Sequence, residues 1–121
     1  MPAWQHAIRF VLEVASLVAL GRWAFHAAGG GAGGWLAGLG LPALATAAWV
    51  TFAVPGDRSR SGRAPVPVPG RVRLALELTL FAGAAAALWA LGDRTALAIF
   101  VAAVLVHHLV SPARHLWLLR Q

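Results

Sequence analysis

Two arginine–glutamate pairs carry the chemistry that this sequence can offer. Arg9 and Glu13 are four residues apart, and so are Arg73 and Glu77. Residues i and i+4 share a helix face, so each pair reads as an intrahelical ion pair. Each glutamate lies about 6 Å further along its helix than its arginine. Both pairs stand at the start of long apolar runs. The arginine can hold an interface while the glutamate enters the apolar zone, where an ionised side chain costs roughly 2.5–3.5 kcal/mol on insertion scales. Such a group must face the interior, be paired, or take up a proton. His107 and His108 close a later apolar run, about a turn before Pro112. An antiparallel return brings them to the depth of the two glutamates. Neighbouring residues on a helix point about 100° apart, so at most one of the two histidines need face the centre.

The spacing predicts one buried polar cluster of Arg9, Glu13, Arg73 and Glu77 with His107 or His108. Three chemistries fit those residue types. The first is structural, with carboxylates satisfied by arginine, histidine and backbone so that the helices are locked together. The second is a proton or cation relay in a small transporter, because intramembrane carboxylates and histidines mark such paths. The third is a divalent metal held by two glutamates and a histidine. No Glu-x-x-His pairing accompanies the glutamates, so no metal and no cofactor are expected. Ser16 and Ser111 sit in no hydrolase signature, and no catalytic residue or enzyme activity is expected. The glycines at 29–34 are not followed by Gly-Lys-Ser/Thr and form no phosphate loop.

The elements that must position these side chains follow from composition. The 121 residues are 60% hydrophobic and only 12% charged. That is about half the usual charged share of a soluble domain, so the solvent expected around the chain is largely lipid. The formal charge is +6 and there is no cysteine, which excludes disulfides and thiolate metal sites. The basic residues gather at the ends of apolar runs, the mark of membrane orientation and not of a nucleic-acid surface. Glu13 within the first apolar run argues against a cleaved signal.

Four spans are predicted, at about 7–28, 35–54, 72–91 and 95–111, forming an all-α, up-down bundle of four transmembrane helices in a single domain, multi-pass in the cell membrane. Pro42 is expected to kink the second helix. Gly34 and Gly38 have the small-x-x-x-small spacing of close helix approach. A hydrophilic linker covers 56–70, with Arg58, Arg60 and Arg63 and then alternating prolines that favour an extended strut. The stretch from Asp57 to Gly70 is also where a protein partner would dock; a homo-oligomer is the other expected protein contact. The tail after Pro112, with Trp117 between leucines and Arg114 and Arg120, reads as interfacial. Arginines dominate the linker and both flanks, which places both termini and the linker in the cytoplasm. Trp4 and Trp117 fall at that edge and Trp23, Trp35 and Trp89 at the other, whereas Trp49 lies too deep for an interfacial belt. The Arg-x-x-x-Glu echo also suggests a parallel internal repeat of two helices.

Three short motifs resemble a known family. Arg9-Phe10-x-Leu12-Glu13, then Pro42 with Trp49 and Pro55, then Glu77-Leu78-x-x-Phe81 look like the YrdB-like family of small bacterial membrane proteins, over roughly residues 6–112. The resemblance implies four helices in a bacterial membrane. It implies no activity, since the family is a domain of unknown function. Its pattern does not require the His107–His108 pair.

Overall fold

The computed structural model describes residues 3–57, 64–110 and 112–121. Arg58, Arg60 and Arg63 of the linker, and Ser111, lie outside the described residues. The chain is helical: α1 Ala3–Ala27, α2 Gly31–Thr51, α3 Gly70–Ala90, α4 Arg94–Val110 and α5 Pro112–Leu119. Two short strands, β1 Phe52–Ala53 and β2 Val66–Pro67, pair in parallel.

The core lies among α1, α3 and α4. Leu12 and Ala19 of α1 meet Phe81, Ala84, Ala87 and Leu88 of α3 and Phe100 of α4. The alanines of α3 let the helices approach closely, and the ring of Phe81 meets that of Phe100 edge-on at 6.3 Å. By contrast α2 leans on the bundle mainly through α1, and Gly34 is its one buried residue. Leu36, Leu39 and Leu44 are each more than two-thirds exposed. Exposing one leucine to water forgoes roughly 1.5–3 kcal/mol, so this face suits an apolar solvent.

Length and composition agree for part of the chain. Gly31–Thr51 and Gly70–Ala90 are long and apolar enough to cross a membrane, with mean hydropathy 1.3 and 1.5. A third crossing is met if α4 and α5, bent by 71° from each other, count as one. The first helix, with Arg9, Glu13 and Arg22, does not meet the same test.

The turns have identifiable causes. Gly29 and Gly30 between α1 and α2, and Gly31 at the start of α2, all adopt positive φ, a run closed to side-chain-bearing residues without strain. At the other hairpin Gly92 (φ 73°) ends α3. Its N–H donates to Trp89 O and that of Asp93 to Leu88 O, the paired bonds of a Schellman motif. Asp93 then caps α4 by accepting from Ala96 N at 3.1 Å.

Several expected boundaries shift. α1 starts at Ala3 and α2 at Gly31, each four residues before its expected start, while α2 ends at Thr51 rather than 54. The helix stops because Phe52 turns extended (φ −93°, ψ 105°). Part of the proline strut is not free: Val66–Pro67 pairs with Phe52–Ala53, and Val68 N donates to Ala53 O at 2.9 Å. Pro42 lies inside α2, which continues through it. The carbonyl that Pro42 leaves without a helical donor is that of Gly38. It faces Gly21 of α1, where an added Cβ would come within 2.7 Å of it. The tail is likewise more than a surface segment, since α5 folds back on α3 with Leu118 buried.

Candidate functional site: a buried arginine–carboxylate network

Glu77 lies two turns into α3 with 2% of its side chain exposed. Three guanidiniums from three helices converge on it. Arg9 of α1 donates from Nη2 to Oε1. Arg73, one turn earlier on α3, donates from Nε to the same oxygen at 3.2 Å. Arg114 of α5 grips both oxygens, Nη2 to Oε1 at 2.6 Å and Nη1 to Oε2 at 2.9 Å. Arg114 also holds Asp57, Nε to Oδ1 at 3.1 Å and Nη2 to Oδ2 at 2.7 Å. One fork thus bridges two carboxylates that are 20 residues apart in the chain. Bidentate arginine–carboxylate contacts are the strongest geometry available to such pairs.

The remaining contacts extend the network to α2. Arg9 Nε lies 3.3 Å from Glu13 Oε1, and Glu13 keeps 26% of its side chain exposed. Arg73 Nη1 donates to the carbonyls of Trp49 and of Phe52, the latter at 2.9 Å. Trp49 lies in the last turn of α2 and Phe52 is its C-cap, where a cation satisfies free acceptors and the negative end of the helix dipole together. The guanidiniums of Arg9 and Arg73 both lie over the Trp49 ring, 5.2 and 4.4 Å from its centroid. Cation–π contact of this kind is worth about 2 kcal/mol when desolvated. Arg9, Arg73 and Arg114 balance Glu13, Asp57 and Glu77, so the network is formally neutral.

The sequence-predicted residues fall in two groups. Arg9, Glu13, Arg73 and Glu77 form one network, with Arg9 touching both glutamates. Of the two histidines His107 is the inward one, 1% exposed. Its Nδ1 is buried without a hydrogen-bond partner. The histidines join an aromatic stack, not the carboxylates. His108 lies parallel to His115 of α5 at 4.8 Å, His107 meets His108 at 5.2 Å, and His108 Nδ1–H donates to Val104 O at 2.8 Å. Among the described residues no group of three or more His, Cys, Asp or Glu is placed to hold a metal ion.

Sequence reasoning missed Arg114 and Asp57. Arg114 reads as part of an interfacial tail and Asp57 as the start of a solvated linker. The available signal was the four-residue spacing of Arg114 and Leu118, which puts both on one face of α5, and both are buried.

Away from this cluster, Arg22 Nη1 of α1 donates to Asp93 Oδ2 at 3.1 Å, and Arg94 lies 3.8 Å over the Trp89 ring. These contacts tie the far ends of α1, α3 and α4.

The chain matches, over residues 7–106, the family described as protein of unknown function (DUF2568). It is also similar to the uncharacterized protein YrdB of Bacillus subtilis (strain 168), 38% identical over 114 residues, covering 94% of this chain and 92% of the relative. No solved structure matches it significantly. The family match takes in Arg9, Glu13, Trp49, Asp57, Arg73 and Glu77 and ends just before His107. On the strength of both matches, the chain belongs to the DUF2568 family, the YrdB-like proteins of unknown function.

Proposed function

We propose that this chain is a multi-pass protein of the cell membrane, built from four membrane helices with both termini and the linker in the cytoplasm. Its role is that of a non-enzymatic structural or interaction module, and the arginine–carboxylate network locks its cytoplasmic half. The observation that supports this reading is the saturation of Glu77 by guanidiniums from α1, α3 and α5. A carboxylate held by three arginines is poorly suited to exchanging protons or cations, because releasing it strands buried charge. It is well suited to fixing one arrangement of helices. The open apolar face of α2 supports a lipid setting or a homo-oligomer, and the arginine-rich segment after Asp57 is where a protein partner would be recruited.

The test replaces Glu77 with Gln and follows membrane accumulation and unfolding in detergent. Loss of accumulation is expected. A Glu77→Gln protein that folds normally but loses ion flux in proteoliposomes would overturn the structural reading.

One observation favours a second reading, a small proton- or cation-coupled transporter. Glu13 is half-buried and lines a cavity of about 220 Å³ with Phe10, Thr46, Trp49 and Leu80. This reading requires Glu13→Gln to abolish flux while leaving the fold intact.

A further inference from the structure

A groove walled by α1 and α2 alone has no part in the network. Its volume is about 590 Å³. Val14, Val18 and Phe25 form one stripe of its α1 wall, at four- and seven-residue spacings. Its floor is backbone, since Gly21 and Gly38 meet there and a Cβ on Gly38 would lie 3.1 Å from Gly21 O. The wall is open to the side, with Val18 and Leu39 more than half exposed. Charge enters at one end only, where Arg22 and His26 complete the lining.

We propose that this groove binds one acyl chain of an anionic phospholipid, with the headgroup phosphate held by Arg22 and His26. The inference rests on the membrane reading above. From Val14 to His26 the groove runs roughly 18 Å along the helix, close to the ~15 Å of one hydrocarbon leaflet. Spread over that length, its volume is that of a slender channel open along one side. A single hydrocarbon chain fits. Arg22 engages Asp93 through Nη1 and is 46% exposed. A guanidinium has five donors, so others remain for phosphate oxygens. Trp23 and Trp35 are exposed at the same end, the position of aromatic side chains at headgroup level.

The experiment uses the full chain, reconstituted in vesicles of phosphatidylcholine and phosphatidylglycerol in equal parts and extracted gently for native mass spectrometry of retained lipid. Phosphatidylglycerol is expected to be enriched on the protein. Arg22→Gln should lower the enrichment about fivefold, the worth of one basic residue near a charged surface. Val18→Trp fills the groove away from the ion pair and should abolish retention of both lipids. Asp93→Asn keeps a capping side chain and frees Arg22, so enrichment should hold or rise, which separates a lost phosphate contact from a lost fold. Equal retention of both lipids, or an Arg22→Gln protein with wild-type enrichment, overturns the proposal. So does a Val18→Trp protein that changes oligomeric state with its lipid unchanged, since a second copy then occupies the groove. A chain washed from membranes by carbonate defeats the membrane reading itself, whereas one that stays inserted without lipid preference defeats only this inference.

Discussion

Gly70 gives the sharpest test of how the network is assembled. It opens α3 directly beneath α5, in ordinary helical backbone. By its effect on the unfolded chain alone, Gly70→Ala would stabilise the protein by about 0.4–1 kcal/mol. The contact says the opposite. A Cβ at this position would lie 1.6 Å from Leu118 O and 2.4 Å from Leu118 C. Both atoms are backbone, so no rotamer change relieves the clash. Ordinary contact begins at 3.4 Å, so α5 must retreat by about 1.8 Å. Arg114 rides on α5, and its bonds to Glu77 at 2.6 and 2.9 Å would then exceed hydrogen-bond reach. Stranding a partner of a buried ion pair costs about 3–5 kcal/mol. The clash therefore outweighs the chain-entropy gain, and a net loss of roughly 2–4 kcal/mol is expected. Thermal unfolding in detergent should fall by on the order of 10 °C, and spin labels on α3 and α5 should report a longer, broader separation. An alanine protein that melts at or above the wild-type temperature with an unchanged separation would refute the reasoning.

Three other outcomes are expected. Glu77→Gln leaves three arginines facing two carboxylates and should destabilise by about 3–5 kcal/mol, whereas Glu13→Gln, at a site that keeps a quarter of its side chain in contact with solvent, should cost under about 1 kcal/mol; equal effects in chemical unfolding would contradict the geometry. Gly38→Leu should push α1 from α2, because a Cβ there already comes within 3.2 Å of Phe25 Cβ; disulfide trapping across the α1–α2 hairpin would read this, and unchanged trapping would count against close backbone packing. Asp93 is held below its ordinary value of 3.8 by the Ala96 backbone bond first and by Arg22 second. A lowered folded value means that its contribution is complete above the ordinary value and disappears as pH falls through the folded one. Melting temperature should accordingly drop on acidification below about pH 4, less steeply for Asp93→Asn, and parallel curves for the two proteins would argue against this role.

The helices and half of the network are legible in the sequence because their signals are local. Arg9 with Glu13, and Arg73 with Glu77, declare themselves at a spacing of four. The other half is not local. Arg114 meets Glu77 across 37 residues and Asp57 across 57, and no periodicity links such positions. Trp49 is a case where sequence and structure explain each other. It lies too deep for an interfacial belt, and the structure supplies the cause, two guanidiniums over its ring. The strand pairing of Val66–Pro67 is hidden because prolines at 65, 67 and 69 suggest an unpaired strut. Gly70 looks like a linker boundary until Leu118 is seen above it.

The network also sets an order of events during synthesis. Residues 112–119 are synthesised after every other member of the network. Until they are, Glu77 has only the guanidiniums of α1 and α3, and Asp57 lacks its Arg114 clamp. The nascent protein therefore carries a provisional charge arrangement that α5 completes. Truncation before Arg114, or a bulky fusion that keeps α5 from seating, would leave that arrangement open to membrane quality-control proteases.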